Sequence, residues 1–533
     1  MKLWQKLISL AAAVLAGSLF VAPAETPLLP PDGLQPADPV VSVSAPPLIH
    51  RGLYAVWYER TPEVLELPYI TGGQVVVQWA DLEKAEGQYD FSRLAAQMKK
   101  LHDQQRMFTV QVNGNDKPAW LFDHVPSLPE PLSTQVHDAR GTLMYWHPVF
   151  ERAYLHFLAA YAAFLKQSPY HASVLGVRQN FNAIGTEHWH VPRDKIALSQ
   201  WRVPAGAKAG EPFTQALGRA YQTRVLKAFV KEFTPDTRVF VRNNIEPALR
   251  QSFEQDFNTG RLCWFHTSSE INPRPNGERQ YQAFLDDSRT GKTLAYAEPW
   301  ASAWGHHGGK TDPRWCSPPQ WNYWRLLCDL HCGVSFIACY ARDLEVARSG
   351  RYRIGKADTI DAAVFQDEFD AAFRFAAKYA GHHATPQAAP GAWVAFREGD
   401  TLKGDYTFLM QRLPDHTREV KSAGPDDQRF GAWARLLPCD QTMQLVLDDR
   451  FAVSLTTQAA ELRVTYLDRG TGAFEVQSDG QTFHAQCSDS GRWKTVVWEL
   501  TSPVFPKTDA SAHVSLRALG ADLTLHMVEV VRK

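Results

Sequence analysis

Residues 75–113 read VVVQWADLEKAEGQYDFSRLAAQMKKLHDQQRMFTVQVN. The stretch opens inside one apolar, β-branched run, QVVVQW (74–79), and closes on another, MFTVQVN (107–113). Between them, DFSRLAAQMKKLHDQQ places Phe91, Leu94, Ala95, Met98 and Leu101 on one face, the 3.6-residue period of an amphipathic helix. A strand run, a helix and a second strand run in so short a compass make a βαβ unit, whose strands are parallel.

The same rhythm extends in both directions. Eight apolar runs can be marked: GLYAVWY (52–58), QVVVQW (74–79), MFTVQVN (107–113), VLGVRQN (174–180), RVFVRNN (238–244), RLCWFHT (261–267), TLAYAEPW (293–300) and VSFIACY (334–340). Helical patterns lie between them. FERAYLHFLAAYAAFLKQS aligns Tyr154, Phe157, Leu158, Tyr161 and Leu165, and FTQALGRAYQTRVLKAFVKEF aligns Leu217, Tyr221, Val225 and Phe229. PQWNYWRLLCDLHC and FQDEFDAAFRFAAKYA follow the seventh and eighth runs. Eight such units predict an α/β fold, a (β/α)8 TIM barrel. A doubly wound sheet would carry a Gly-rich phosphate turn after an early strand, and none is present. Long connections after runs three, four and seven then fall on the C-terminal face, where barrel sites are built.

After HHATPQAAPG (382–391) helical periodicity gives way to short alternating strands such as AELRVTYLDRGTGAFEVQSDG and RWKTVVWEL. This predicts an all-β, jelly-roll-like sandwich. The expected organisation is a signal peptide at 1–24, an extended leader at 25–48, the barrel at 49–384, a linker at 385–392 and the sandwich at 393–533. The signal peptide is read from Lys2 and Lys6, the apolar run LISLAAAVLAGSLFV and Ala22-Pro23-Ala24, which implies export to the periplasm or beyond. No later stretch is long and apolar enough to span a bilayer. A net charge of −1 offers no basic surface for nucleic acid. The seven cysteines declare no disulfide framework, although Cys439 and Cys487 could pair. Cys328 and Cys332, one helical turn apart, read as buried thiols. Nothing in the pattern sets an oligomeric state. The 17 Trp residues are the outlier of the composition.

Acidic residues at strand ends carry the chemistry a barrel mouth can do. Glu187 follows run four in FNAIGTEHWH, and Glu298 ends run seven in AYAEPW. Two carboxylates over one mouth are what glycoside cleavage uses, one protonating the leaving oxygen and the other attacking the anomeric carbon or activating water. Glu270 and Glu246 are weaker rivals; Glu246 starts a helical pattern, where an acid favours the dipole.

Residues 74–121 carry a resemblance. Trp79, Asp81, Glu83, the run Glu86-Gly87-Gln88-Tyr89-Asp90-Phe91 and then KPAWL (117–121) are similar to the second and third units of clan A glycoside hydrolases, the family 42 β-galactosidase type in particular. The resemblance implies a retaining enzyme with Glu187 as acid/base, Glu298 as nucleophile and His266 supporting the nucleophile, their carboxyls about 5–5.5 Å apart. The clan's Asn before the acid/base is here Thr186, a departure that favours the alternative of a non-catalytic carbohydrate-binding protein on a degenerate barrel. The sandwich is similar to modules appended to polysaccharide-degrading enzymes, with Trp433, Trp493 and Trp498 as a possible sugar face.

A carbohydrate is the expected partner. Its contacts are assigned to Trp57, Asn113, Asn115, Trp120, Asn180, His188, Trp189, Asn243, Trp300 and Trp304, since aromatic faces and amides suit sugar rings and hydroxyls. No cofactor and no metal are expected: His188/His190 and His306/His307 are His-rich, but run one ends in WYER without the His pair that metal-dependent barrel hydrolases place there. A metal-dependent hydrolase is the more distant alternative.

Overall fold

The computed structural model describes residues 50–186, 188–189, 191, 196–242, 245, 247–267, 294–299, 302–304, 316–354, 358–397, 404–456, 458–501, 503–505 and 512–533, excepting the side chains of 266 and 267. Each of the eight apolar runs supplies one strand: β1 (Gly52–Val56), β2 (Ile70–Gln78), β3 (Met107–Asn113), β4 (Val174–Arg178), β5 (Val239–Arg242), β6 (Leu262–Thr267), β7 (Ala295–Glu298) and β8 (Phe336–Tyr340). They pair in parallel in chain order, and β8 closes on β1 in the register Gly52↔Phe336 to Val56↔Tyr340. β2 begins earlier than its apolar run because Gly72 lets it approach β3: a Cβ there would lie 1.9 Å from the Met107 carbonyl oxygen.

The helices α1 (Ser92–Asp103), α2 (Pro148–Gln167) and α3 (Gln215–Phe233) follow β2, β3 and β4. Two short helices, Pro247–Ser252 and Glu254–Asn258, follow β5; α4 (Pro318–His331) follows β7, and α5 (Ala341–Ser349) and α6 (Gln366–Tyr379) follow β8. Their starts are chemically marked. Pro148 opens α2 behind His147, whose ring accepts from Val149 N. Thr214 caps α3, and Ser317 with Gln320 forms a reciprocal capping box on α4.

The sequence motif between β2 and α1 is a structural clasp. Trp79 is fully buried against Phe150, Tyr154 and Phe157 of α2, at ring distances of 5.7, 5.1 and 5.5 Å. Its indole N–H donates to Glu83 Oε2 at 2.7 Å, while Gly87 N donates to Glu83 Oε1 at 3.0 Å. Asp90 accepts from Ser92 N, and Asp81 pairs with Arg93. The clasp thus packs on α2 through Trp79 and ties to the start of α1 through Asp81 and Asp90.

The C-terminal region forms two antiparallel sheets. The strands are β9 (Gly391–Ala395), β10 (Tyr406–Phe408), β11 (Met410–Arg412), β12 (Arg418–Lys421), β13 (Trp433–Leu437), β14 (Thr442–Leu447), β15 (Ala460–Asp468), β16 (Ala473–Ser478), β17 (Gln481–Gln486), β18 (Arg492–Leu500), β19 (Val514–Leu519) and β20 (Leu523–Arg532). One sheet is built on β20, with β15 along one edge, β9 and then β13 along the other, and β10, β12 and β18 outside them. The other runs β11-β14-β19-β16-β17. The preceding stretch makes two 3-10 turns, and Arg532 donates to the Gln387 and Ala389 carbonyls there.

Barrel and sandwich belong to one compact unit, residues 41–533, joined through α4. Every residue from Pro319 to His331 is buried, as a helix packed on all sides must be. Trp324 meets Trp433 edge to face at 5.0 Å and donates to the Phe430 carbonyl, and Tyr323 hydroxyl contacts His526 Nε2 at 3.1 Å. Cys439 and Cys487 form no disulfide, which corrects the possible bridge between them. Cys439 follows β13 and is tied to Asp522, whereas the buried Cys487 follows β17 and bonds Gly472. Cys328 and Cys332 are buried on α4 and at its end. No helix among the described residues is long and apolar enough to cross a membrane.

Candidate active site

Strand alternation sorts side chains into an outer layer under the helices and an inner layer inside the barrel. Tyr54, Val56, Leu175, Phe240, Cys263, Phe265, Tyr296, Phe336 and Ala338 form the inner apolar cluster. Above it, toward the C-terminal ends of the strands, the inner layer turns polar: Gln74, Gln111, Arg178 and Glu298.

Arg178 reaches this layer through a bulge. The β3–β4 register runs Phe108↔Val174 and then Thr109↔Gly176, leaving Leu175 as the extra residue. Leu175 packs inside and Val177 outside, although they are two residues apart. The parity switch sends Arg178 inward. There its Nη1 donates to Glu298 Oε2 at 2.9 Å and to Gln111 Oε1 at 2.7 Å, and the guanidinium lies 3.8 Å from the centre of the Phe265 ring. The side chains of the pair are 6% and 8% exposed. A charge-assisted bond in such a setting holds the carboxylate in one orientation.

An amide network continues from this pair. Gln74 Nε2 donates to Gln111 Oε1 at 2.8 Å, and Gln111 Nε2 donates to Asn113 Oδ1. Asn180 Nδ2 donates to Asn113 Oδ1 at 3.0 Å and to the Val112 carbonyl at 2.9 Å. The loop after β3 then ties to the loop after β4. Asn115 Nδ2 donates to the Gln135 carbonyl at 2.7 Å; Gln135 Oε1 accepts from Thr186 N and Thr186 Oγ1, both at 3.1 Å, and lies 3.2 Å from His188 Nδ1.

The proposed site residues therefore divide. Glu298, Asn113 and Asn180 belong to one hydrogen-bonded system at the β3, β4 and β7 ends, and Asn115 and His188 to a second that joins the loops after β3 and β4. Trp57 stands at the rim after β1, 43% exposed and at φ 58°, and hydrogen-bonds Tyr340 at the end of β8. Trp120 is half-buried in the 3-10 turn Ala119–Asp123, its ring 6.0 Å from His124. Trp189 packs on α3, where a Cβ at Gly218 would come 2.8 Å from its ring. Trp304 stacks at 4.5 Å on Tyr352 and packs on Phe365 and Phe369, so its ring is engaged in the helical layer and is no open platform. Trp433 and Trp493 are buried at the junction with the barrel, while Trp498 is half-buried on Phe483. Glu187, Asn243 and Trp300 lie outside the described residues, as do Glu246, Glu270, His190, His306 and His307; His266 is in β6, its side chain outside them. Among the described residues no cluster of His, Cys, Asp and Glu could hold a metal.

Arg178, Gln74, Gln111 and Gln135 were missed from the sequence. Arg178 lies within the fourth run, but simple alternation from Leu175 and Val177 turns it outward; the bulge has no compositional mark.

Three groups near the mouth have displaced titrations. Burial lowers the Lys117 amine to about 7, against the pull of Asp116 and Asp138, and its Nζ donates to the Gly114 carbonyl. Burial, helped by Glu298 and Asp343, raises the Tyr340 hydroxyl, so it is neutral and able to donate. Burial raises Asp343 to about 7; both its oxygens accept from Ala303 N, at 3.1 and 3.0 Å, anchoring the loop after β7 to α5.

No protein-family model and no curated protein matches the chain. Among solved structures it is similar to a rutinosidase from Aspergillus niger (14% identity, 52% of this chain and 72% of that one, TM-score 0.30). It is also similar to a β-galactosidase from Rahnella sp. R3 (13%, 66% and 58%, 0.38) and to xylanase B from Clostridium stercorarium F9 (14%, 55% and 86%, 0.31).

Proposed function

We propose that the protein is an exported glycoside hydrolase that cleaves an oligo- or polysaccharide, of β-galactoside type, with retention of configuration. The observation that carries this reading is Glu298: a carboxylate at the C-terminal end of β7, facing into the barrel and held by Arg178. Glu298 attacks the anomeric carbon while Glu187 gives its proton to the leaving oxygen, releasing the aglycone and leaving a glycosyl ester on Glu298. Glu187, now a carboxylate, takes a proton from water, which displaces the ester and regenerates both groups. Arg178 keeps one carboxylate oxygen oriented through both steps. Asn113, Asn115 and Asn180 supply the amide chemistry that suits sugar hydroxyls.

The test is a panel of aryl glycosides, with a 2-deoxy-2-fluoro glycoside as a trap. Wild type is expected to release aryl alcohol from at least one, insensitively to chelators, and the trap to add its sugar mass to the peptide bearing Glu298. Release of nothing while glycans still bind would favour the non-catalytic reading; a label on another residue would remove Glu298 as nucleophile.

A further inference from the structure

Gln111 stands inside the barrel because β3 alternates. Val110 and Val112 pack in the outer layer under the helices, and the residue between them points inward. It is buried, and both polar atoms of its amide are engaged. Oε1 accepts from Arg178 Nη1 at 2.7 Å and from Gln74 Nε2 at 2.8 Å, while Nε2 donates to Asn113 Oδ1. Arginine has donors and no acceptor, so the atom facing Arg178 must be the Gln111 oxygen, and this fixes the orientation of the amide. The same Arg178 nitrogen donates to Glu298 Oε2 at 2.9 Å. Nη1 thus makes one in-plane bond to Gln111 and another to Glu298, and the Phe265 ring lies 3.8 Å from the guanidinium carbon, on its face. Gln111 in the plane and Phe265 on the face together deny Arg178 the rotation that would carry its N–H away from Glu298.

We propose that Gln111 is a positioning residue for Glu298, acting through Arg178; this rests on the reading of Glu298 as the nucleophile. Without the amide oxygen, a buried N–H of Arg178 loses an acceptor, which is costly in an enclosed site. The guanidinium then turns to recover one and draws the Glu298 carboxylate off its line of attack on the anomeric carbon. A displacement of about 1 Å in a reacting group costs on the order of 10²-fold in rate. Gln111 itself forms no bond to the substrate.

The experiment times the nucleophile's attack alone. The 2,4-dinitrophenyl 2-deoxy-2-fluoro glycosides of the aryl panel's sugars release one dinitrophenolate per site as the sugar is esterified to the nucleophile, and this leaving group needs no proton. The rate constant of the burst reports the attack, and its amplitude counts the folded sites. Wild type, Gln111→Leu, Arg178→Met and the double variant are compared. Gln111→Leu is expected to slow the burst on the order of 10²-fold at full amplitude, with the half-saturating probe concentration moved under about 3-fold. In the Arg178→Met background the same substitution is expected to change the rate constant under about 3-fold, since the residue it acts through is gone. Equal slowing in both backgrounds, or a loss of amplitude at an unchanged rate constant, overturns the positioning role. Should Gln111→Leu fail to fold, Gln111→Glu decides. It keeps an acceptor oxygen for Arg178, and its negative charge favours the protonated form of Glu298, so the acid limb of the burst's pH profile moves to higher pH. An unmoved limb overturns the proposal. If no probe gives a burst with wild type, or the label sits on a peptide without Glu298, the nucleophile reading falls and the inference with it. A Glu298 label formed as fast in Gln111→Leu as in wild type removes the inference alone.

Discussion

Arg178 of β4 and Glu298 of β7 meet across the interior of the barrel, Nη1 to Oε2 at 2.9 Å, with both side chains buried. Removing one member leaves the other charged and enclosed, at a cost of about 3–5 kcal/mol, while replacing both with apolar residues of like volume costs much less. Arg178→Met and Glu298→Gln are each expected to lower the urea midpoint, and the Arg178→Met/Glu298→Leu double variant to recover part of the loss. Activity separates the roles. Glu298→Gln should lose on the order of 10³-fold or more in kcat, about 4 kcal/mol of barrel-mouth chemistry, on every substrate. A double variant destabilised by the full sum of the Arg178→Met and Glu298→Leu singles would mean that the pair is not coupled.

The Trp79–Glu83 clasp makes the opposite kind of prediction. Trp79→Phe preserves the aromatic contacts with α2 but leaves Glu83 Oε2 without its indole donor. An unsatisfied buried acceptor costs about 1–3 kcal/mol. The urea midpoint should fall accordingly with kcat/KM unchanged within twofold; a large loss of activity in a stably folded variant would place the clasp in the site.

Fold and site were unequally legible in the sequence. All eight barrel strands announce themselves because a parallel strand covered on both faces is a continuous apolar run, and α1 and α2 because one face must be buried. The sandwich shows in its short alternating strands. Glu298 was legible from its strand-end position. Arg178 was not, since the Leu175 bulge that turns it inward changes a parity and no residue type. Gln135 lay in LSTQVHD, a stretch without a motif, and meets Thr186 and His188 only because the fold brings Gly185 beside it. Trp304 looked like a platform from its loop position, yet Tyr352, distant in sequence, covers its face.

His526 lies at the junction of barrel and sandwich, among Tyr323, Trp324, Phe430 and Trp493. Burial, and then the nearby Arg429 charge, hold its pKa well below the usual 6.5. The folded state thus resists protonation that the unfolded chain accepts. Its contribution to stability is present above pH 6.5 and is lost as pH falls below that value. His526→Phe should flatten the fall in urea midpoint between pH 7 and pH 5; an unchanged slope would assign the acid sensitivity elsewhere.

Asp343 works with the opposite sign. Burial raises its folded pKa to about 7, above the usual 3.8. The folded state holds the proton more tightly, so stability is fully present below about pH 4 and is lost as pH rises through 7. Asp343→Asn keeps an acceptor for Ala303 N and removes the ionisation. It is expected to be more stable than wild type at pH 8 and not at pH 4, read as urea midpoints; a gain equal at both would point to packing instead.

Trp57 is the one aromatic residue among the described residues counted as exposed, and it sits in the left-handed backbone region at φ 58°. A bulky side chain there costs on the order of 1–3 kcal/mol, which persists where the surroundings impose it, and such strain gathers at functional sites. The surroundings here are Tyr340, which bonds the indole and whose own hydroxyl feels Glu298. The ring therefore stands at the rim on the β1/β8 side of the proposed nucleophile, where a sugar face can stack on it. Trp57→Gly removes the ring and the strain together. Its urea midpoint should equal or exceed that of wild type, while KM for an oligosaccharide rises about tenfold, equivalent to about 1.4 kcal/mol. The kcat should hold, since a contact made equally in ground and transition states is lost from binding alone. A fall in kcat with KM unmoved would instead make Trp57 part of the catalytic step, acting through Tyr340 on the Glu298 carboxylate.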